Sequence, residues 1–398
     1  MINNKRVLVY LDKKRLAPKG GPHAVGYFYH QEMLKREDET LEFIDLPEKH
    51  VKFKEREQSI LKFLPGFLKN LYKNLRQINA VKRLLESEPY DSGINLSEYS
   101  LVLFHQADHM WRERKQLENY QGIVVFQSHS PIPFGKEVCT DISKMIEIGV
   151  KDLHEKYDKV DRYAFDRADY LIFPCEEAEE PYHDTWPYYS IVKKNKIGRF
   201  NYVLTGITPA VPKRTRDDIF SELAIPKDDF VISYVGRHNS VKGYDILKQI
   251  AGSFFENYSD SWVISAGKEE PFTRLEHDHW KEIGWTNDAH SYISASDVFI
   301  LPNRVTYFDI VMLEVLSLGK IVIASNTGGN KYFKKAGVKG VFLYDTVEEA
   351  VELLNMIKSM PLGERISLGQ ANKEYFDQHL TVSTMYDRYI EVLSSLLS

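Results

Sequence analysis

Within the segment YVGRHNSVKG, Tyr234 to Gly243, two cations, Arg237 and Lys242, stand in one short turn. Fixed positive charges so placed suit a diphosphate, whose oxygens accept charge-assisted hydrogen bonds from guanidinium and ammonium groups. The apolar run Phe230 to Val235 predicts a buried strand directly before the turn, and Tyr244 to Ala251 predicts the helix after it. The cations therefore sit at a strand's carboxyl end, where α/β proteins bind ligands. Gly236 and Gly243 bracket the turn; glycine lets a backbone approach a ligand closely, and a helix start adds free N–H groups. The turn is neither a Walker loop, which needs Gly-Lys-Ser/Thr, nor a GxGxxG dinucleotide fingerprint. By itself it also matches two solvated cations on an exposed surface turn.

Downstream, His290 to Gly329 reads helix, strand, loop, helix, strand, glycine turn: Val298 to Leu301 is the first strand, Ile310 to Leu318 the helix, and Ile321 to Ser325 the second strand. In order and spacing, this stretch and the GR…KG turn together resemble the nucleotide-sugar domain of retaining GT-B glycosyltransferases, specifically the GT4-like group, over roughly Phe230 to Tyr344. The resemblance implies that Arg237 and Lys242 grip the donor diphosphate and that Glu314 holds the ribose hydroxyls. It also brings the donor against Gly21, Gly236, Thr306, Phe308, Asp309 and Ile310. A carboxylate accepts two hydroxyl hydrogen bonds, and cations offset charge developing on a leaving diphosphate.

One departure is plain. The family usually has a second glutamate eight positions before the ribose one, followed by Gly-Phe-Gly; here Thr306 stands there, followed by Tyr307, Phe308 and Asp309. Asp309 is expected to cap the 310–318 helix by accepting backbone N–H bonds. Its charge would repel a diphosphate unless a cation intervenes. Either the sugar is held in another way, or catalysis is weak or absent.

The elements that must position these groups need a long chain. At 398 residues there is room for two domains. Hydrophobic content of 43% and charged content of 27% are ordinary for a globular protein, and a net charge of −5 argues against general nucleic-acid binding. No apolar run approaches the ~18 residues of a membrane span and no signal peptide precedes the first strand, so a cytoplasmic location is expected. Cys139 and Cys175 have no metal-ligand pattern and are expected to be reduced. In the first half, Arg6 to Leu11, Leu41 to Asp45, Leu101 to His105, Gly122 to Gln127 and Tyr170 to Phe173 read as strands of a parallel sheet with crossover helices.

Periodicity yields an α/β chain. The resemblance adds the GT-B plan: two Rossmann-like parallel-sheet domains facing a cleft, with an acceptor-side domain over 1–207, a linker over 208–229, a nucleotide-sugar domain over 230–380, and a helix over 381–398 returning to the first domain.

Two features of the first half resemble the acceptor-side wall of these enzymes: Lys19-Gly20-Gly21 after the first strand, and His129 after the strand Ile123 to Phe126. His129 joins Arg237 and Lys242 as an expected catalytic residue. His105, Asp108 and His109 form a polar cluster after the preceding strand, and His105 and Asp108 are expected to contact the acceptor with Gly20. Their H-x-x-D-H spacing is not H-E-x-x-H, and no metal is expected. Between Val51 and Arg83, nine Lys or Arg face two Glu. Leu64, Leu68, Leu71, Leu75 and Ile78 recur there at helical spacing, and Pro65-Gly66 starts the helix. Such a stripe is either the core face of a surface helix or a peripheral contact with anionic lipid at the inner face of the plasma membrane.

The expected activity is transfer of a sugar from a UDP- or GDP-sugar to a glycan or lipid-linked acceptor, in surface polysaccharide or glycolipid synthesis, with no further cofactor. Two alternatives stay open: a non-catalytic GT-B subunit that stabilises or targets an active glycosyltransferase, and a nucleotide-sugar epimerase or hydrolase.

Overall fold

The structure is a computed structural model that describes residues 6–18, 21–45, 65–86, 92–136 and 147–398. It contains two six-stranded sheets. The first is built from β1 (Val7–Asp12), β2 (Leu41–Ile44), β3 (Leu101–Phe104), β4 (Ile123–Gln127), β5 (Tyr170–Phe173) and β6 (Phe200–Tyr202), in the order β2-β1-β3-β4-β5-β6. The second comprises β7 (Phe230–Val235), β8 (Ser261–Ala266), β9 (Trp280–Gly284), β10 (Val298–Leu301), β11 (Ile321–Ser325) and β12 (Val341–Tyr344), ordered β12-β11-β10-β7-β8-β9. The pairings β1–β2, β1–β3, β3–β4 and β4–β5 are parallel, as are all five in the second sheet.

The central strands read as unbroken apolar runs because crossover helices cover both faces of a parallel sheet. All four residues of β3 and of β10 are buried. The edge strand β9, WKEIG, is half-buried and carries no such run.

The chain divides into two compact units: residues 1–173, 182–201 and 389–398 form one, and residues 174–181 and 202–388 the other. The stretch 208–229 lies within the second unit and holds the helix Arg216–Leu223. There the Thr215 hydroxyl accepts from the Asp218 N–H while the Asp218 carboxylate accepts from the Thr215 N–H, a complete capping box. The last helix runs Val382–Leu397. In the first unit Tyr389 stacks on Tyr29 with centroids 4.6 Å apart and donates to Gln127 Oε1 at 2.5 Å.

Each sheet has one place where the strand order reverses. In the second it lies between β7 and β10, in the first between β1 and β3. The crevice outside the carboxyl ends of the strands at such a switch point is where doubly wound sheets bind ligands. Within each sheet, the expected site residues follow strands at or beside that point.

Cys175 is a buried free thiol, and burial pushes its pKa upward. Cys139, Lys19, Gly20 and residues 46–64 lie outside the described residues. The helix Gly66–Glu86 begins after Pro65; of its stripe, Leu68 and Ile78 are half-buried, while Leu71 and Leu75 are 43% and 49% exposed, with Tyr72 exposed beside them. No helix among the described residues is long and apolar enough to cross a membrane.

Candidate active site

The GR…KG turn is a tightly determined piece of backbone. The Gly243 N–H donates to Ser240 O at 3.0 Å, the Lys242 N–H to Asn239 Oδ1 at 2.9 Å, and the Tyr244 N–H to Asn239 O at 3.2 Å. Gly243 adopts φ +63°, and a Cβ there would stand 1.7 Å from the Pro302 carbonyl oxygen, so only glycine fits. That contact seats the turn against the loop after β10. The Arg304 N–H donates to Val241 O at 3.0 Å, and the Arg304 guanidinium grips Asp245 through two bonds of 2.7 and 2.6 Å. Beneath the turn, buried His238 stacks on Tyr244 with centroids 3.8 Å apart. Burial drives its pKa down to about 4, which leaves a neutral ring as a packing element.

This docking brings Lys242 to Asp309. The ammonium lies 2.6 Å from Asp309 Oδ2, and the Asn303 amide donates to the same oxygen. Asp309 occupies the position before the helix Ile310–Ser317, yet its side chain makes no capping hydrogen bond. The expected N-cap role is therefore corrected: a lysine 67 residues away in sequence holds the carboxylate instead. The reason is electrostatic, since a charged partner makes a stronger bond to a carboxylate than a helical N–H does. Asp309 and Lys242 keep 17% and 25% of their side-chain surface, so both still face solvent.

Arg237 is exposed, and its guanidinium has no hydrogen-bond or ion-pair partner among the described residues. Thr306 is wholly buried, with its hydroxyl bonded by Asn303 at 3.0 Å, and Phe308 is buried against Phe333 with centroids 5.4 Å apart. Their backbone carries the chain from Asn303 to Asp309. Ile310 heads the helix, whose first N–H groups have no partner within it. Glu314 follows Asp309 by five residues, a rise of about 7.5 Å along the helix. Its carboxylate meets His290 at 3.3 Å, and this contact raises the histidine's pKa. Asn303, Arg304 and His290 were not among the residues singled out from sequence; no local pattern marks them.

In the first unit, His105 and His129 come together, with His105 Nδ1 2.6 Å from His129 Nε2. They line a cavity of about 250 Å³ with Asp108, Ser128, Ser130, Asp161 and Phe134. Asp108 pairs with Arg112 at 3.5 Å. Among the described residues no group of three or more His, Cys, Asp or Glu converges to hold a metal ion. Gly21 begins the helix Gly21–Lys35 after β1.

Burial, with His129 and His109 next, lowers the His105 pKa well below the ordinary range, and burial with His23 pushes His129 down to about 3. Both rings are thus neutral at pH 7 and serve as hydrogen-bonding groups. The unfolded chain takes up protons near pH 6.5, the folded rings do not, so stability falls as pH drops from about 6.5 toward 3. Asp161 works in the opposite sense. Burial raises its pKa to about 7 against the Gly135 and Phe134 N–H groups, so its contribution declines as pH rises from 3.8 to 7. Melting curves between pH 6.5 and 4.5 should show a falling Tm for the wild type and a shallower fall for His129→Asn. An unchanged slope would mean that His129 is not held neutral.

The fold defines the class: a GT-B protein, two doubly wound parallel sheets with a cationic turn at the switch point of the second. The model of the family "Glycosyl transferases group 1" matches residues 215–375 of the 398, the segment that carries the GR…KG turn and Glu314. An uncharacterized 41.2 kDa protein in the cps region of Klebsiella pneumoniae is 24% identical over 178 residues, 44% of this chain and 49% of that protein. The UDP-Gal:alpha-D-GlcNAc-diphosphoundecaprenol alpha-1,3-galactosyltransferase of Escherichia coli is 28% identical over 132 residues, 30% of this chain and 34% of that protein. The chain spans about half the length, or less, of the curated relatives it matches. Among solved structures, Anabaena HepE in complex with UDP and glucose superposes with a TM-score of 0.59 at 15% identity, over 98% of this chain and 100% of that one.

Proposed function

We propose that this chain is a retaining glycosyltransferase that moves a hexosyl group from a UDP- or GDP-sugar to a hydroxyl of a glycan or lipid-linked acceptor. The observation that carries the reading is the arrangement at the β7/β10 switch point: an exposed Arg237, Lys242 held by Asp309, and Glu314 one and a half turns along the next helix. Arg237 and Lys242 bind the diphosphate and stabilise the charge that grows on it as the glycosidic bond breaks. Glu314 exchanges His290 for the two ribose hydroxyls. Asp309, in reach of Lys242, takes the part of the missing family glutamate and accepts a hydroxyl of the donor sugar. The acceptor attacks the face from which the diphosphate leaves and gives its proton to a phosphate oxygen, so orientation rather than a strong base does the work.

The neutral His105–His129 pair and Asp108 hold the acceptor by hydrogen bonds. UDP is favoured as the nucleotide, because UDP occupies the similar HepE fold and the E. coli relative uses UDP-Gal. That relative's lipid-linked acceptor and the exposed Leu71, Tyr72 and Leu75 on a basic helix support work at a membrane surface. The cps-region relative supports a place in surface polysaccharide synthesis.

Glu314→Gln should raise the donor KM about 10- to 100-fold, the scale of hydrogen bonds to a charged group, with a smaller change in kcat. An unchanged KM would remove Glu314 from the donor site.

The buried Thr306 in place of a glutamate favours a second reading, a GT-B subunit without catalysis that supports an active partner. Melting with UDP, GDP, ADP and CMP separates the two. A nucleotide at ~100 times its Kd stabilises by about 2.7 kcal/mol. A shift with one nucleotide, lost in Lys242→Ala, supports the enzyme; no shift with any supports the subunit.

A further inference from the structure

A second cavity, of about 510 Å³, opens at the amino ends of β7, β10 and β11, the edge of the second sheet away from the donor turn. Its lining comes from chain segments far apart in sequence. Arg216 heads the helix Arg216–Leu223, Asp297 precedes β10, Lys320 precedes β11, and Arg365 lies on the helix Leu362–His379.

The helix Leu362–His379 is fixed there by a close backbone approach. A Cβ on Gly369 would stand 2.1 Å from the Gly319 carbonyl oxygen. One turn on, Asn372 Nδ2 donates to Lys320 O at 2.7 Å and to Gly340 O at 3.0 Å. Residues four and three apart share a helix face, so the Gly369 and Asn372 contacts aim Leu362, Arg365 and Ile366 at the cavity.

The cations of the floor are unevenly partnered. Arg216 and Arg365 both reach Asp297, at 3.1 and 3.3 Å, and Lys320 donates only to the Ser296 carbonyl oxygen at 2.9 Å. At the floor of the cavity three cations thus stand around the one carboxylate of Asp297. Elsewhere in the lining, Asp229 accepts from Trp262, Lys358 pairs with Asp260 and Lys227 pairs with Asp217, while Asp228 also faces the cavity. Arg365 Nε is buried with no hydrogen-bond partner. The Lys320 ammonium likewise has donor capacity left over, since it carries three N–H groups. Burial pushes its pKa down to about 8, which still leaves it mostly charged at neutral pH. Above this basic floor the wall is apolar, with Phe230 buried and Leu362 and Ile366 61% and 62% exposed.

We propose that this cavity binds a phosphomonoester, with the phosphate on Lys320, Arg216 and Arg365 and the organic part against Leu362 and Ile366. Two unsatisfied cationic donors beside an apolar wall match a ligand with one doubly charged end and one less polar end. The volume lies within the range of small-molecule sites. The site does not depend on the glycosyltransferase reading, because none of its residues touches the donor turn.

The test is calorimetric titration of the full chain with inorganic phosphate and with glycerol 3-phosphate. It is run in the Arg237→Ala/Lys242→Ala background, so that the donor site contributes nothing. Saturable binding is expected there, tighter for the ester than for phosphate. Lys320→Met should weaken it about tenfold or more, the scale of one charge-assisted hydrogen bond. Ile366→Glu, at an exposed position where folding is not in question, should weaken it by adding a negative charge at the mouth. The same ligand chemistry is presented by vesicles containing phosphatidic acid. Lys320-dependent sedimentation with them would make a lipid headgroup the source, and Lys320-dependent binding of the soluble ester alone would make it a free metabolite. Absence of saturable binding, or binding equal in both variants, overturns the proposal.

Discussion

Lys242→Ala should lower turnover by about 10²-fold or more, the scale of losing one preorganised donor at a developing charge. Two effects combine. The ammonium that would stabilise the leaving diphosphate is gone, and Asp309, now without its cation at 2.6 Å, faces that diphosphate as a bare carboxylate. Two like charges a few ångströms apart near a protein surface repel by several kcal/mol at an effective dielectric of about 20. The double variant Lys242→Ala/Asp309→Asn removes the repulsion but not the loss of the cation. It should therefore be about tenfold more active than the single variant, though still well below the wild type. Steady-state kinetics on the four proteins of this cycle check the point. If the double variant is no better than Lys242→Ala, Asp309 does not face the donor, and the Lys242–Asp309 pair is a structural tie.

Gly243→Ala carries the largest expected effect on folding. The added methyl meets the Pro302 carbonyl oxygen at 1.7 Å, a backbone atom that cannot swing aside, at a φ of +63° that alanine adopts only with strain. A loss of about 3 kcal/mol is expected from strain of this kind. The damage is directional as well. Pro302 leads into Asn303 and Arg304, so pushing it outward breaks the Arg304 N–H bond to Val241 O and separates Lys242 from Asp309. Nucleotide binding should weaken more than the stability loss alone explains. Gly252→Ala is the control: it lies in the helix Tyr244–Phe255 with open space around a Cβ, and should stabilise by about 0.5–1 kcal/mol. Denaturant midpoints and nucleotide titrations of both variants decide it; equal midpoints for the two would show that the 243–302 contact gives way.

The strands that sequence made legible are those buried on both faces. Tyr170–Phe173, Phe230–Val235, Val298–Leu301 and Ile321–Ser325 lie where their unbroken apolar runs put them, because a parallel strand between two helical layers has no polar side to show. The edge strand β9 was not singled out. Its Lys281 and Glu282 sit among half-buried positions, and Glu282 accepts from Tyr244 and Trp280, so its polar residues are explained only by neighbours. Within the site, Arg237, Lys242 and Glu314 stood out through a family pattern of spacing. His290, Asn303 and Arg304 did not, since each acts on a residue 24, 6 or 59 positions away.

Asp309 shows where the boundary falls. Its place before a helix is a local fact, and the amino-acid order alone predicted both the helix and an acidic residue at its head. What the carboxylate binds is a global fact, decided by the strand order that lays β10 beside β7 and by the glycine that lets the two loops touch. The sequence by itself determined the α/β class, the boundaries of the buried strands, and the cationic turn, because hydrophobic periodicity and turn chemistry act over a few neighbouring residues. The pairing of Lys242 with Asp309, the neutral His105–His129 contact and the basic cavity at Lys320 were decided by tertiary structure alone. Each joins groups from different strands, and no short-range pattern encodes which distant side chains a folded sheet sets side by side.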